Sequence, residues 1–233
     1  LMSIFTKSKQ RFRRHKLKQL GIEPVSCKTS ALYGGDHGWV VDKSLINSES
    51  IIYSVGVGSN IDFDLDIIQS FDATVHAFDP TPRSIEWISK QELPKRFIFH
   101  PVGLASKNGY MEFFPPSKLS STHYSPLDRY KSNNGVIKAP VKNLKTVASD
   151  LNHTKIDLLK MDIEGGEYEV IEDLSQSGIN INQILIEFHH MYKDIPISKT
   201  VNAISILKSL GFELFNISQR TYEFSFKRKV NES

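Results

Sequence analysis

Residues 160–171 read KMDIEGGEYEVI. The apolar run 156–161 breaks off at Asp162, Glu164 and two glycines, and a helical pattern follows, with Val170, Ile171 and Leu174 on one side. Two earlier stretches have the same form: SVGVGSN (54–60) and HAFDPTP (76–82). A short apolar run that ends abruptly in glycine or acid reads as a buried parallel strand presenting polar groups at its carboxyl end. In open α/β sheets that edge is where ligands bind. Three such edges in one chain point to a cofactor-dependent enzyme.

Working outward, strands are expected at 51–55, 74–78, 97–99, 156–161 and 184–188, with helices at 62–71, 82–90, 167–174 and 201–210 between or after them. Pro82 suits the first turn of its helix. Val201, Ile204, Leu207 and Leu210 form an apolar stripe that Gly211 closes. Residues 33–42, YGGDHGWVVD, form a loop or hairpin ahead of the sheet, and 110–114 form an added strand. Residues 115–140 are rich in Ser, Pro and Asn and lack periodicity, and long loops of this kind are commonly functional. Segments 212–218 and 221–227 form a closing antiparallel pair. The alternation defines a Rossmann-like, doubly wound, mostly parallel α/β sheet with an antiparallel C-terminal edge.

The 233 residues are 39% hydrophobic and 24% charged, ordinary for one domain with a sizeable core. A net charge of +3 is too small for nucleic-acid binding by the whole surface. Lys7, Lys9, Arg11, Arg13, Arg14, Lys16 and Lys18 are concentrated in a basic leader, drawn at 1–30 ahead of a main domain at 31–233; it reads first as a solvated, partly disordered segment, with weak contact to an anionic membrane surface or to nucleic acid as the alternatives. The single Cys27 excludes an intramolecular disulfide or a cysteine-rich metal site. No apolar run reaches the ~20 residues that span a bilayer, and the N-terminus turns basic before any signal-like core. A soluble, cytoplasmic protein is the expectation.

Gly56 and Gly58 let the backbone turn tightly and approach a bound nucleoside. With no third glycine, a dinucleotide site is poorly supported. Asp79, at the end of the next strand, is placed to accept hydrogen bonds from ribose hydroxyls.

In order, VGVGSNIDFDLDII, VHAFDPTPRSIEW, FHPVGLAS, LLKMDIEGGEYEVI and LIEFHH resemble the FkbM-type methyltransferases and related methyltransferase-like domains. The resemblance spans roughly residues 33–220, and FDPTPRSIEW and KMDIEGGEYEVI are its specific parts. It implies a class I S-adenosylmethionine (SAM)-dependent enzyme with a seven-stranded sheet. Carried over by position, Gly56 and Gly58, with Ser59 and Asn60, flank the methionine part of SAM, Asp79 holds the ribose, and Gly103 and Leu104 lie by the adenine. Ser54 stands where many such sites have an acid, which leaves Asn60 or Asp62 to supply polarity at the amino-acid end.

Asp162, Glu164, Glu187 and His189 are the candidate catalytic residues, at the ends of two adjacent strands. Methyl transfer to oxygen needs a base for the hydroxyl proton, which a histidine supplies, or a cation that lowers its pKa, which a carboxylate–histidine cluster supplies through an oxygen-preferring metal. The direct base is preferred, and no metal ligands are assigned. The acceptor expected from the resemblance is a hydroxyl of a small molecule, sugar or glycan. Two rivals remain: an RNA ribose methyltransferase, favoured by the basic leader and Lys160, and an inactive binding scaffold, favoured by Ser54.

Overall fold

A computed structural model describes residues 4–117, 123–131 and 135–229 of the chain, with the side chains of 4–7 and of His37 outside that description. The elements in chain order are α1 (Ile4–Gln19), β1 (Ser30–Tyr33), β2 (Trp39–Asp42), β3 (Ile51–Val55), α2 (Asp62–Phe71), β4 (Thr74–Phe78), α3 (Pro82–Ile88), β5 (Phe97–His100), β6 (Gly103–Leu104), β7 (Gly109–Phe113), β8 (Ile137–Lys142), α4 (Leu144–Asp150), β9 (Lys155–Met161), α5 (Glu167–Ser177), β10 (Asn180–Glu187), α6 (Ile197–Ser209), β11 (Phe212–Ile217) and β12 (Glu223–Arg228).

Seven strands form the main sheet in the order β11-β12-β10-β9-β3-β4-β5. β10, β9, β3, β4 and β5 run parallel, while β12 pairs antiparallel with both β10 and β11. This is the doubly wound sheet with an antiparallel edge that the sequence implies. β3 and β9 are buried almost throughout because helices cover both faces. One core layer gathers Leu144, Ile171, Leu174, Ile204, Leu207 and Phe226 under α4, α5 and α6. The other gathers Trp39, Val41, Phe63, Ile67 and Ile88 beneath the β1–β2 hairpin, α2 and α3. Phe212, Phe215, Phe224 and Phe226 are all buried, the core role their sequence implies.

Residues 137–140, read as the end of an irregular loop, belong to β8, the middle strand of a small sheet ordered β6-β8-β7. At the other end, Leu17 and Ile22 are buried in the main core. Arg14 of α1 also donates to the Ile217 carbonyl at 2.8 Å, so the basic segment is tied to the body.

Candidate active site

The parallel strands β3, β4, β9 and β10 all end at one cavity of about 640 Å³. All eleven site residues expected from the sequence line it: Gly56, Gly58, Ser59, Asn60, Asp79, Gly103, Leu104, Asp162, Glu164, Glu187 and His189.

At the β3 end, Gly56 has φ 87°, and a Cβ there would meet the Asp162 carbonyl oxygen at 1.7 Å. Only glycine lets β3 and the turn after β9 pass this closely. Asp79 is 5% exposed. Its Oδ1 accepts from the Thr81 backbone N–H (2.9 Å) and hydroxyl (2.7 Å), and Oδ2 accepts from the Gly58 N–H at 2.9 Å. The carboxylate therefore fixes the glycine loop against β4, and Oδ2 keeps a lone pair for a ligand hydroxyl. The polarity assigned to Asn60 or Asp62 is differently placed. Both are exposed and are engaged with each other, Asn60 Oδ1 accepting from the Asp62 N–H at 2.8 Å. The buried acid of this region is Asp64, two residues beyond Asp62 in the first turn of α2; it is 2% exposed.

At the β9 end, Glu164 occupies the left-handed region (φ 55°) in a turn closed by Glu167. Glu167 is fully buried at the first position of α5 and accepts from the N–H groups of Ile163 (3.0 Å) and Gly165 (3.1 Å). An acid there also suits the positive end of the helix. Glu167 Oε1 lies 2.8 Å from His189 Nδ1, off the ring's N–H axis, so the contact is a close ion pair rather than a linear hydrogen bond. His189 Nε2 faces Asp162 at 3.6 Å and Glu164 at 3.8 Å. Burial pushes the His189 pKa down, but Glu167, Asp162 and Glu164 outweigh it and hold the imidazole cationic, with its pKa raised to about 10. In that state both ring nitrogens carry a proton and neither accepts one.

Glu187 behaves in the opposite way. Burial and then the Asp162 charge raise its pKa to about 7, against His189 and Arg220, whose Nη2 is 3.8 Å away. Asp162 is also raised, by burial above all. Glu164 is saturated: Oε1 meets His123 Nδ1 at 2.8 Å, and Oε2 accepts from Arg129 (3.1 Å) and from the Tyr192 hydroxyl. Burial opposes ionisation, yet the His123 hydrogen bond, His189 and Tyr192 lower its pKa to about 2. Glu164 thus latches residues 123–129 over the strand ends, helped by the Ser125 hydroxyl donating to its carbonyl at 2.7 Å. Asp162, Glu164 and His189 offer ligand atoms within 4.8 Å of one another. A metal bound through Oε2 of Glu164 would compete with Arg129 and Tyr192 for that oxygen.

Sequence reasoning missed Asp64, Glu167, Arg129 and Tyr192. The neighbouring His190 turns away toward Thr200 (3.3 Å) and the Tyr222 ring.

The Methyltransferase FkbM domain model matches residues 8–214, and the chain belongs to that family. It is 24% identical over 181 residues to a probable methyltransferase-like protein 24 of Homo sapiens, covering 73% of this chain and 43% of that protein. It is 28% identical over 141 residues to the hexuronic acid methyltransferase AglP of Haloferax volcanii, covering 57% of this chain and 54% of that one. The chain thus spans about half the length of the curated relatives it matches. Among solved structures, the methyltransferase FkbM from Methylobacillus flagellatus KT superposes with a TM-score of 0.50 at 13% identity, covering 97% of this chain and 56% of that one, a likeness of fold. Among the described residues, no helix is long and apolar enough to cross a membrane.

Proposed function

We propose that this chain is a SAM-dependent methyltransferase domain that methylates a hydroxyl of a sugar or glycan. The observation that carries the reading is the single cavity joining the Gly56–Gly58 loop and Asp79 to Asp162, Glu187 and His189. The residues fit SAM. Gly56 leaves the backbone bare, Asp79 Oδ2 retains an acceptor site, and Gly103 and Leu104 close the β5 side. The sugar acceptor draws its support from the hexuronic acid methyltransferase among the relatives.

Bound SAM supplies a methyl group already activated by its sulfonium. Methylation of a hydroxyl would release its proton, which a residue of the chain must accept. Glu187, titrating near neutrality, is the residue that takes that proton. His189, held cationic, steadies negative charge on Asp162 and Glu164 around the acceptor. Residues 123–129, latched on Glu164, exclude water above the site. Most of the acceleration then comes from alignment of the oxygen with the methyl.

The test is transfer of labelled methyl from SAM to a panel of hexuronic-acid-containing saccharides and to RNA. Label on the saccharide hydroxyls supports the reading. Label on RNA alone, or SAM binding with no transfer to any hydroxyl, overturns it.

A further inference from the structure

Beside the glycine loop, on the face covered by α2 and the β1–β2 hairpin, lies a group of buried polar side chains to which the mechanism gives no work. Ser54 of β3 and Lys160 of β9 are register partners, so their side chains share one face of the sheet. Ser54 is fully buried, Asp64 2% exposed and Lys160 7% exposed. Ser54 and Asp64 lie beside each other, but Ser54 Oγ and Asp64 Oδ1 make no well-formed hydrogen bond among the described residues. The Lys160 ammonium likewise makes no hydrogen bond or ion pair there; its close neighbour is the Trp39 ring, 5.3 Å from the ring centre. Trp39, Asp64 and Lys160 all line the cavity.

A carboxylate and an ammonium buried this deeply are costly unless something satisfies them. They form no ion pair with each other, although the Lys160 charge acts on Asp64 and on Asp162, against the burial that raises both acids. One acid and one base, separated and both facing a cavity, match a ligand group that carries both charges. Resting on the SAM reading above, we infer that Asp64 and Lys160 clasp the amino-acid end of SAM: Asp64 receives its α-ammonium and Lys160 its α-carboxylate. The other ends of SAM are already accounted for, with adenine and ribose toward β5 and β4 and the methyl toward Asp162 and Glu187. The α2–hairpin wall remains for the amino acid. The acid absent at position 54 is thereby supplied from α2.

The test is calorimetric binding of two ligands, S-adenosylhomocysteine and 5′-methylthioadenosine, which shares the nucleoside and sulfur but lacks the amino acid. Lys160→Met and Asp64→Asn should each weaken homocysteine-ligand binding about 10- to 100-fold, the range of a lost hydrogen bond to a charged group. Binding of methylthioadenosine should stay within about twofold, which also shows that the variant is folded. If Lys160→Met does not fold, Lys160→Gln takes its place. Unchanged affinity for both ligands, or an equal loss of both, overturns the inference while leaving the SAM reading intact. Failure of the wild-type chain to bind either ligand overturns both.

Discussion

His189 and Glu167 meet in the interior with side chains 4% and 0% exposed, Nδ1 to Oε1 at 2.8 Å. Glu167 joins three parts of the site: through its oxygens it closes the turn after β9, begins α5 and fixes the charge of the histidine at the end of β10. A buried charge left without its partner is strongly destabilising.

Glu167→Gln should therefore cost about 3 kcal/mol, the lower end for breaking a buried pair, because Asp162 and Glu164 still face the imidazole. Urea unfolding measures this loss. Proton NMR of His189 in the same variant should show its pKa falling from the raised value, and an unmoved pKa would contradict the pairing.

Glu187→Gln should lower kcat by about 10²- to 10⁴-fold, as for loss of a general base, with SAM affinity unchanged. A base works only when deprotonated, so wild-type kcat/KM should be lost as pH falls through about 7. A pH–rate profile with that limb intact in the variant would remove Glu187 from the proton transfer.

Asp79→Ala should weaken S-adenosylhomocysteine and 5′-methylthioadenosine alike, by about 10-fold or more, because the nucleoside common to both loses a charged acceptor and the glycine loop loses its tether. Equal affinity of variant and wild type for both ligands would rule out the ribose assignment.

A second titrating group lies apart from the cavity. His76 Nδ1 and His100 Nε2 are 3.0 Å apart, and His153 Nδ1 meets the Tyr53 hydroxyl at 2.8 Å. Burial, then repulsion from His153 and His100, lowers the His76 pKa to about 4. His100 and His153 are also lowered, by burial first. The unfolded chain thus protonates before the folded one, so these residues withdraw stability as pH falls from about 6.5 toward about 4. The raised Glu187 works in the opposite sense, so the comparison must be with a variant. His76→Phe should flatten the decline by up to about 1.4 kcal/mol per pH unit, the value of one proton. Parallel stability–pH curves from urea titration would refute the effect.

The sheet was legible because its strands carry their own signals: 51–55 and 74–78 are runs rich in β-branched and aromatic residues, closed by glycine or Asp-Pro. β8 was not, since Pro140 and polar residues hide a strand that packs in a three-stranded side sheet. β10 begins at Asn180, ahead of its apolar run, because pairing with β9 carries Asn180 and Asn182 into the ladder or alongside it. The cavity-lining residues were legible for the same reason as the strands: they stand at strand ends. Their protonation was not. Arg129 and Tyr192 lie 35 and 28 residues from Glu164, and no local pattern announces such pairings. Asp64 reads in sequence as one more acid in the first turn of a helix, and only tertiary packing buries it.

Calorimetric titration of the folded chain with SAM should show saturable one-to-one binding, abolished by Gly56→Val, whose side chain would occupy the space between β3 and the Asp162 carbonyl. Absence of binding to a chain that circular dichroism shows to be folded would contradict the SAM reading.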